Sequence, residues 1–172
     1  MDNIYLIGFM GTGKSTVAKC LQKFLPFTVL EMDDAIERIE AMSIPEIFEK
    51  KGEDGFRDAE SQLLKLISKE KNQIISCGGG VVLRQENIDV MKSTGSVVRL
   101  IASPEIIYER VCKSQNRPLA TGKSLDEIKS LINSREESYV KAAEFVVDAG
   151  NMSPDEVTSE IIRQLALAGR LN

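Results

Sequence analysis

Residues 4–16, Ile4-Tyr-Leu-Ile-Gly-Phe-Met-Gly-Thr-Gly-Lys-Ser-Thr16, set a short apolar run directly before the spacing G-x-x-x-x-G-K-[ST]. Such a run reads as a buried parallel strand, and the stripe Val17, Ala18, Leu21 and Leu25 that follows fits a helix, the context in which this spacing is a phosphate loop. Gly8, Gly11 and Gly13 permit turns that a Cβ would forbid, so that backbone N–H groups converge on an anion at the helix start. Lys14 adds a point charge for the β- and γ-phosphates, and Ser15 offers a hydroxyl to Mg²⁺, a hard cation that bridges terminal phosphates. Gly11, Thr12, Gly13, Lys14, Ser15 and Thr16 are therefore expected to surround a nucleotide.

Composition limits what else the chain can be. Its 172 residues with 42% hydrophobic content suffice for one core, and no break in composition marks a second. A net charge of -4 and a pI near 5.1 argue against general attraction to nucleic acid or an anionic membrane, so an anionic ligand must be caught by specific arginines and lysines. The N-terminal Met-Asp-Asn-Ile carries no basic leader and no apolar stretch long enough for a bilayer, so a soluble cytoplasmic protein is expected. Nothing signals a coiled coil or an apolar surface, and monomer is the expectation. Cys20, Cys77 and Cys112 lack metal-ligand spacing and read as reduced packing thiols. Histidine is absent, which leaves carboxylates, arginine, lysine and a metal to carry any reaction.

Apolar runs at Ile4–Ile7, Thr28–Met32, Ile74–Cys77, Val97–Ile101 and Phe145–Val147 alternate with amphipathic segments, the pattern of a three-layer α/β fold around a parallel sheet. Ser43-Ile-Pro-Glu46, Ser124-Leu-Asp-Glu127 and Ser153-Pro-Asp-Glu156 have capping-box spacing, and Ser103-Pro104 puts proline at a first helical position. Residues 33–72 are more than one crossover needs and look like an inserted substrate subdomain. Ser114 to Lys123 is polar, turn-rich and basic, which suits a lid over phosphates at about 113–124 or an ordinary solvated loop.

Further features point toward the carboxyl ends of the strands, where open α/β sheets bind ligands. Asp33, closing the second strand, can orient and deprotonate an attacking hydroxyl or serve as a helix N-cap; Glu31 can hold a Mg²⁺-bound water. Three consecutive glycines, Gly78-Gly79-Gly80, suit close approach of backbone to a ligand, although a turn also uses glycine. Arg57 and Arg135 lie on or beside apolar helix faces. They can grip a carboxylate or phosphate in bidentate fashion, or snorkel and form structural ion pairs.

In this order, Gly8-Phe-Met-Gly-Thr-Gly-Lys-Ser-Thr16, the acidic pair ending the second strand, Gly-Phe-Arg57, Gly78-Gly-Gly80, Arg117-Pro-Leu and Arg135 with Tyr139 resemble the shikimate kinases over nearly the whole chain. The resemblance implies a nucleoside-monophosphate-kinase-like fold with a five-stranded parallel sheet, a helical shikimate-binding subdomain and a lid. It also implies transfer of the ATP γ-phosphoryl group to the 3-hydroxyl of shikimate on the route to chorismate, with Mg²⁺. Carried over position by position, Asp33 holds the ring hydroxyls and is the candidate base, and Arg57 and Arg135 bind the carboxylate. Gly78, Gly79 and Gly80 border the substrate, Lys14 and Arg117 stabilise the transferring phosphates, and Pro154 packs on adenine with Lys113 or Arg110 opposite.

Three departures stand out: Glu31-Met-Asp33 replaces the family's Asp-x-Asp, Arg135-Glu-Glu-Ser-Tyr139 replaces Arg-x-Pro-Leu-Tyr, and Ala120 replaces a lid leucine. Asp33 rather than Asp34 is aligned because Ile36-Glu37 then falls in place. A gluconate kinase of the same architecture and a nucleotide-sensing module without turnover are the competing readings. The paired arginines with the triple glycine disfavour the first, and Asp33 with Arg117 the second.

Overall fold

The computed structural model describes residues 2–112 and 123–171. Among them, five strands form one parallel sheet in the order β2-β3-β1-β4-β5: β1 (Asn3–Ile7), β2 (Thr28–Glu31), β3 (Gln73–Ser76), β4 (Gly95–Ile101) and β5 (Phe145–Asp148). β1 lies at the centre, with Ile4 opposite Ile74 of β3 on one side and Ser96 of β4 on the other. All five apolar runs fall in strands; the inner strands β1, β3 and β4 are covered on both faces and are almost wholly buried, while the edge strands β2 and β5 stay partly exposed.

Helices cover both faces. On one, α1 (Lys14–Leu21) and α7 (Pro154–Leu167) close over Ile4, Leu6, Val98 and Leu100. On the other, α3 (Ile44–Ile67), α4 (Gln85–Thr94) and α6 (Leu125–Ala142) close over Tyr5, Ile7, Ile75 and Val97. A smaller cluster of Phe9, Ile107, Val111 and Ile128 joins α5 (Pro104–Cys112) to α6 and the phosphate loop. No helix of the described residues is long and apolar enough to cross a membrane.

The three capping boxes form as the spacing predicts, with Ser43, Ser124 and Ser153 each accepting from the backbone N–H three residues on and the glutamate reaching back. Pro104 is the first residue of α5. Two boundaries differ from expectation. α1 stops at Leu21 and the chain runs on in turns, the Phe24 and Leu25 N–H groups both donating to the Leu21 carbonyl at 3.0 Å, so that Leu25 still packs on the same core. β2 ends at Glu31 and α2 (Met32–Glu40) starts at once, so Asp33 sits in the first turn of a helix and Glu31 takes the N-cap position without a side-chain cap bond.

Residues 33–72 hold α2 and α3, the latter broken at Gly52, where φ 71° and ψ −179° depart from helix. That conformation is essentially confined to glycine. The break lets Phe48 and Phe56 converge, ring centroids 4.9 Å apart, from two segments pointing in different directions.

Candidate active site

The turn after β1 runs through positive φ at Gly8, Gly11 and Gly13 and opens α1, the strand–loop–helix arrangement expected of a phosphate loop. A Cβ on Gly8 would stand 2.4 Å from the Leu100 carbonyl oxygen, so the loop lies directly on β4. Thr12 is buried and its hydroxyl donates to the Phe9 carbonyl at 2.8 Å, closing the turn from inside. The Lys14 ammonium donates to the carbonyls of Gly8 and Phe9 at 2.7 and 3.1 Å, which holds the cation over the loop mouth. Thr16 lines the same cleft.

A cleft of about 1070 Å³ runs from this loop to α3, and Lys14, Ser15, Glu31, Asp33, Arg57, Gly78, Gly79, Gly80 and Arg135 all border it. Segments distant in the chain are thus gathered at the carboxyl ends of β1, β2 and β3, on the side where a parallel sheet offers loops and helix N-termini. The Ser15 hydroxyl donates to Glu31 Oε2 at 3.0 Å, joining the two residues expected to serve a metal. Glu31 Oε1 is buried and has no hydrogen-bond partner.

Arg57 is 6% exposed, and its Nη1 donates to Glu60 Oε2 at 2.9 Å while its guanidinium stacks 5.1 Å from the Phe56 ring centre. Glu60 is fully buried. Burial pushes its carboxyl above the ordinary value, with Arg57 pulling the other way. Glu60 Oε1 has no partner, and a Cβ on Gly78 would stand 2.7 Å from it and 2.9 Å from Asp33 Oδ1. A Cβ on Gly80 would lie 2.3 Å from the Arg57 guanidinium. At Gly78 and Gly80, carboxylates and a guanidinium occupy the space a side chain would need.

Across the cleft Arg135, 9% exposed, lies over the Phe9 ring at 5.8 Å and points Nη1 at the Gly79 carbonyl, 3.4 Å away. The same carbonyl accepts from the Tyr139 hydroxyl at 2.5 Å, and burial pushes that phenol up to about 12. Cys77, buried beside the glycines, has its thiol pushed up by desolvation and stays protonated.

At the other end, Arg110 bonds the carbonyls of Gly11, Ala149 and Gly150 at 3.2, 3.1 and 3.3 Å, tying the phosphate loop to the segment that leads into Pro154. Pro154 is exposed at the start of α7. Arg117, Lys113 and Ala120, with most of the expected lid, lie outside the described residues.

Sequence reasoning missed Glu60 and Arg99. Glu60 had a signal, since it falls on the stripe Phe56, Leu63, Leu64 and Ile67, where a charge needs a buried partner. The two cations on this cleft's walls, a P-loop at its mouth and acid groups between them define a P-loop kinase that phosphorylates a small anionic acceptor. The family model described as "Shikimate kinase" matches residues 10–166. A shikimate kinase of Thermodesulfovibrio yellowstonii is 45% identical over 165 residues, 95% of each chain. The structure of the shikimate kinase from Acinetobacter baumannii in complex with shikimate superposes with a TM-score of 0.91 at 32% identity, covering 100% of this chain and 96% of that one. The chain belongs to the shikimate kinase family, ATP-dependent kinases of aromatic amino acid biosynthesis. A gluconokinase from Sinorhizobium meliloti, at TM-score 0.61 and 16% identity, shares the fold alone.

Proposed function

We propose that the cleft transfers the γ-phosphoryl group of ATP to the 3-hydroxyl of shikimate, giving shikimate 3-phosphate and ADP, with the following division of labour. Arg57 and Arg135 bind the acceptor carboxylate from opposite walls as planar donors. Asp33 accepts the ring hydroxyls and takes the proton as the 3-hydroxyl attacks. Backbone at Gly78, Gly79 and Gly80 borders the ring. Gly11, Thr12, Gly13, Lys14, Ser15 and Thr16 cradle the phosphates, and Lys14 and Arg117 stabilise charge on the transferring group. Pro154 packs on the adenine, with Lys113 or Arg110 opposite.

The observation that carries this reading is the single cleft that unites a phosphate loop with two nearly buried arginines and Asp33. Ser15 and Glu31 would hold Mg²⁺, Glu31 through a water; the buried, unpartnered Oε1 and the hard-oxygen donor set fit that ion. When bound, Mg²⁺ neutralises charge on the terminal phosphates. The chain works as one kinase domain, with the P-loop at 8–16, the acceptor subdomain at about 33–72 and the lid at about 113–124. We take the chain to act as a cytoplasmic monomer, and its net charge of -4 argues against nucleic acid or an anionic membrane as a partner.

The test is coupled ADP release from Mg-ATP with shikimate, gluconate, AMP or no acceptor in parallel. Release with shikimate alone is expected. Turnover with gluconate or AMP and none with shikimate would overturn the acceptor assignment and leave the P-loop reading standing.

A further inference from the structure

β4 carries a charge where its neighbours are apolar. Arg99 faces the same side of the sheet as Val97, paired with Ile7 of β1 and Val146 of β5, and is 9% exposed. A guanidinium so placed is costly unless a counter-charge meets it. Glu136 of α6 does so in fork geometry, accepting from Nη1 at 2.8 Å and from Nη2 at 2.6 Å. Those bonds hold the Glu136 carboxyl below its ordinary range, although its side chain is 48% exposed. The guanidinium also lies 5.0 Å from the centre of the Tyr139 ring.

Both contacts fall on the stretch of α6 that walls the acceptor end of the cleft. Glu136 adjoins Arg135, and Tyr139 stands one turn after it. Arg135 and Tyr139 converge on the Gly79 carbonyl, so the rotation of α6 about its axis decides whether both donors reach that oxygen. One residue of helix is about 100° of rotation, and a fork that fixes Glu136 fixes the azimuth of its neighbours. We propose that Arg99 is a positioning residue for the acceptor: through its bidentate pair with Glu136 and its seat on the Tyr139 ring, it holds α6 so that Arg135 and Tyr139 meet Gly79. The proposal rests on the reading of Arg135 as an acceptor ligand.

The test compares kcat, both KM values and thermal unfolding for Arg99→Leu, Glu136→Gln, Arg135→Ala and the Arg99→Leu/Arg135→Ala double variant. Leucine suits the apolar face of β4, so Arg99→Leu keeps the fold, whereas Glu136→Gln leaves the Arg99 guanidinium without its counter-charge and is expected to unfold at a lower temperature while staying folded under assay conditions. Expected is a rise of about tenfold in shikimate KM for Arg99→Leu and for Glu136→Gln, with ATP KM unchanged. In the Arg135→Ala background, Arg99→Leu adds much less than it does alone, as two residues acting through one contact must. Parent-like shikimate KM in Arg99→Leu and Glu136→Gln, beside a raised value in Arg135→Ala, overturns the positioning role alone. Parent-like shikimate KM in Arg135→Ala removes the acceptor assignment beneath it.

Discussion

Adding one methyl group at Gly80 tests the acceptor wall directly. Gly80 has φ −105° and ψ 2°, backbone open to any residue, so Gly80→Ala brings no dihedral strain. What it brings is contact: the new Cβ lies 2.3 Å from Cζ, Nη1 and Nη2 of Arg57, where ordinary contact begins near 3.4 Å. The guanidinium must retreat by about 1 Å, and a misplacement of that size costs on the order of a hundredfold in a positioned reaction. Arg57 ends a flexible side chain, but Glu60 and the Phe56 ring hold it, so it cannot move without disturbing both. The expected outcome is a loss of about a hundredfold in kcat/KM for shikimate, about 2.7 kcal/mol of transition-state binding, with KM for ATP unchanged. Thermal unfolding of Gly80→Ala should shift by only about 2–4 °C, since a single strained contact is relieved at the end of a side chain. Gly79→Ala is the control, because its Cβ would come no closer than 3.7 Å to any protein atom and thermal stability should match the parent. Steady-state kinetics that left shikimate KM and kcat untouched in Gly80→Ala would refute the placement of Arg57 at the acceptor.

Four further outcomes are expected. Lys14→Met and Asp33→Asn should each abolish ADP release while the far-ultraviolet circular dichroism stays native; substantial activity in Asp33→Asn would remove it as the base. Arg110→Ala should raise KM for ATP and leave KM for shikimate alone, because its three carbonyl partners lie between the phosphate loop and the β5–α7 connection. Ser153→Ala should lose about 1 kcal/mol of stability with its capping box, read as a fall in Tm of about 2–4 °C. For Glu60, burial raises the folded value above the unfolded one, so its stabilising contribution is complete below about pH 4.5 and is lost as pH rises through the folded value. Thermal unfolding across pH 4–8 should therefore show Glu60→Gln gaining stability relative to the parent as pH increases, and a constant difference would contradict the buried-carboxyl account.

What could be read from the residues was what is local or periodic. Strands such as β1 declare themselves by unbroken apolar runs, here Ile4–Ile7, and Ser43, Ser124 and Ser153 meet their glutamates three residues on whatever the rest of the chain does. The P-loop carries its own geometry in its glycines. Asp33 reads as a strand end because no local signal distinguishes the last residue of a strand from the first turn of a helix joined to it without a loop. Arg57 and Arg135 read equally as ligands or as ion-pair partners for a different reason. Arg57 is held by Glu60 on its own helix and by the space Gly80 leaves open, and both facts depend on how α3 lies against the end of β3. Arg99 looked like part of an apolar run, since its partner Glu136 lies 37 residues further on.

The break at Gly52 makes the acceptor chamber adjustable by parts. Pro45 and Phe48 stand before it, Phe56 and Arg57 after it, and only the second segment is bolted to the glycines that end β3. A redesign at Ile44 and Pro45, which leaves the Phe48–Phe56 ring contact in place, would change the room for a ring while Arg57, the proposed carboxylate anchor, and the nucleotide machinery stayed where they are. On the proposed assignment of Arg57, selectivity for the carbon skeleton and grip on its acid group become separable traits in this chain, divided by one residue without a side chain.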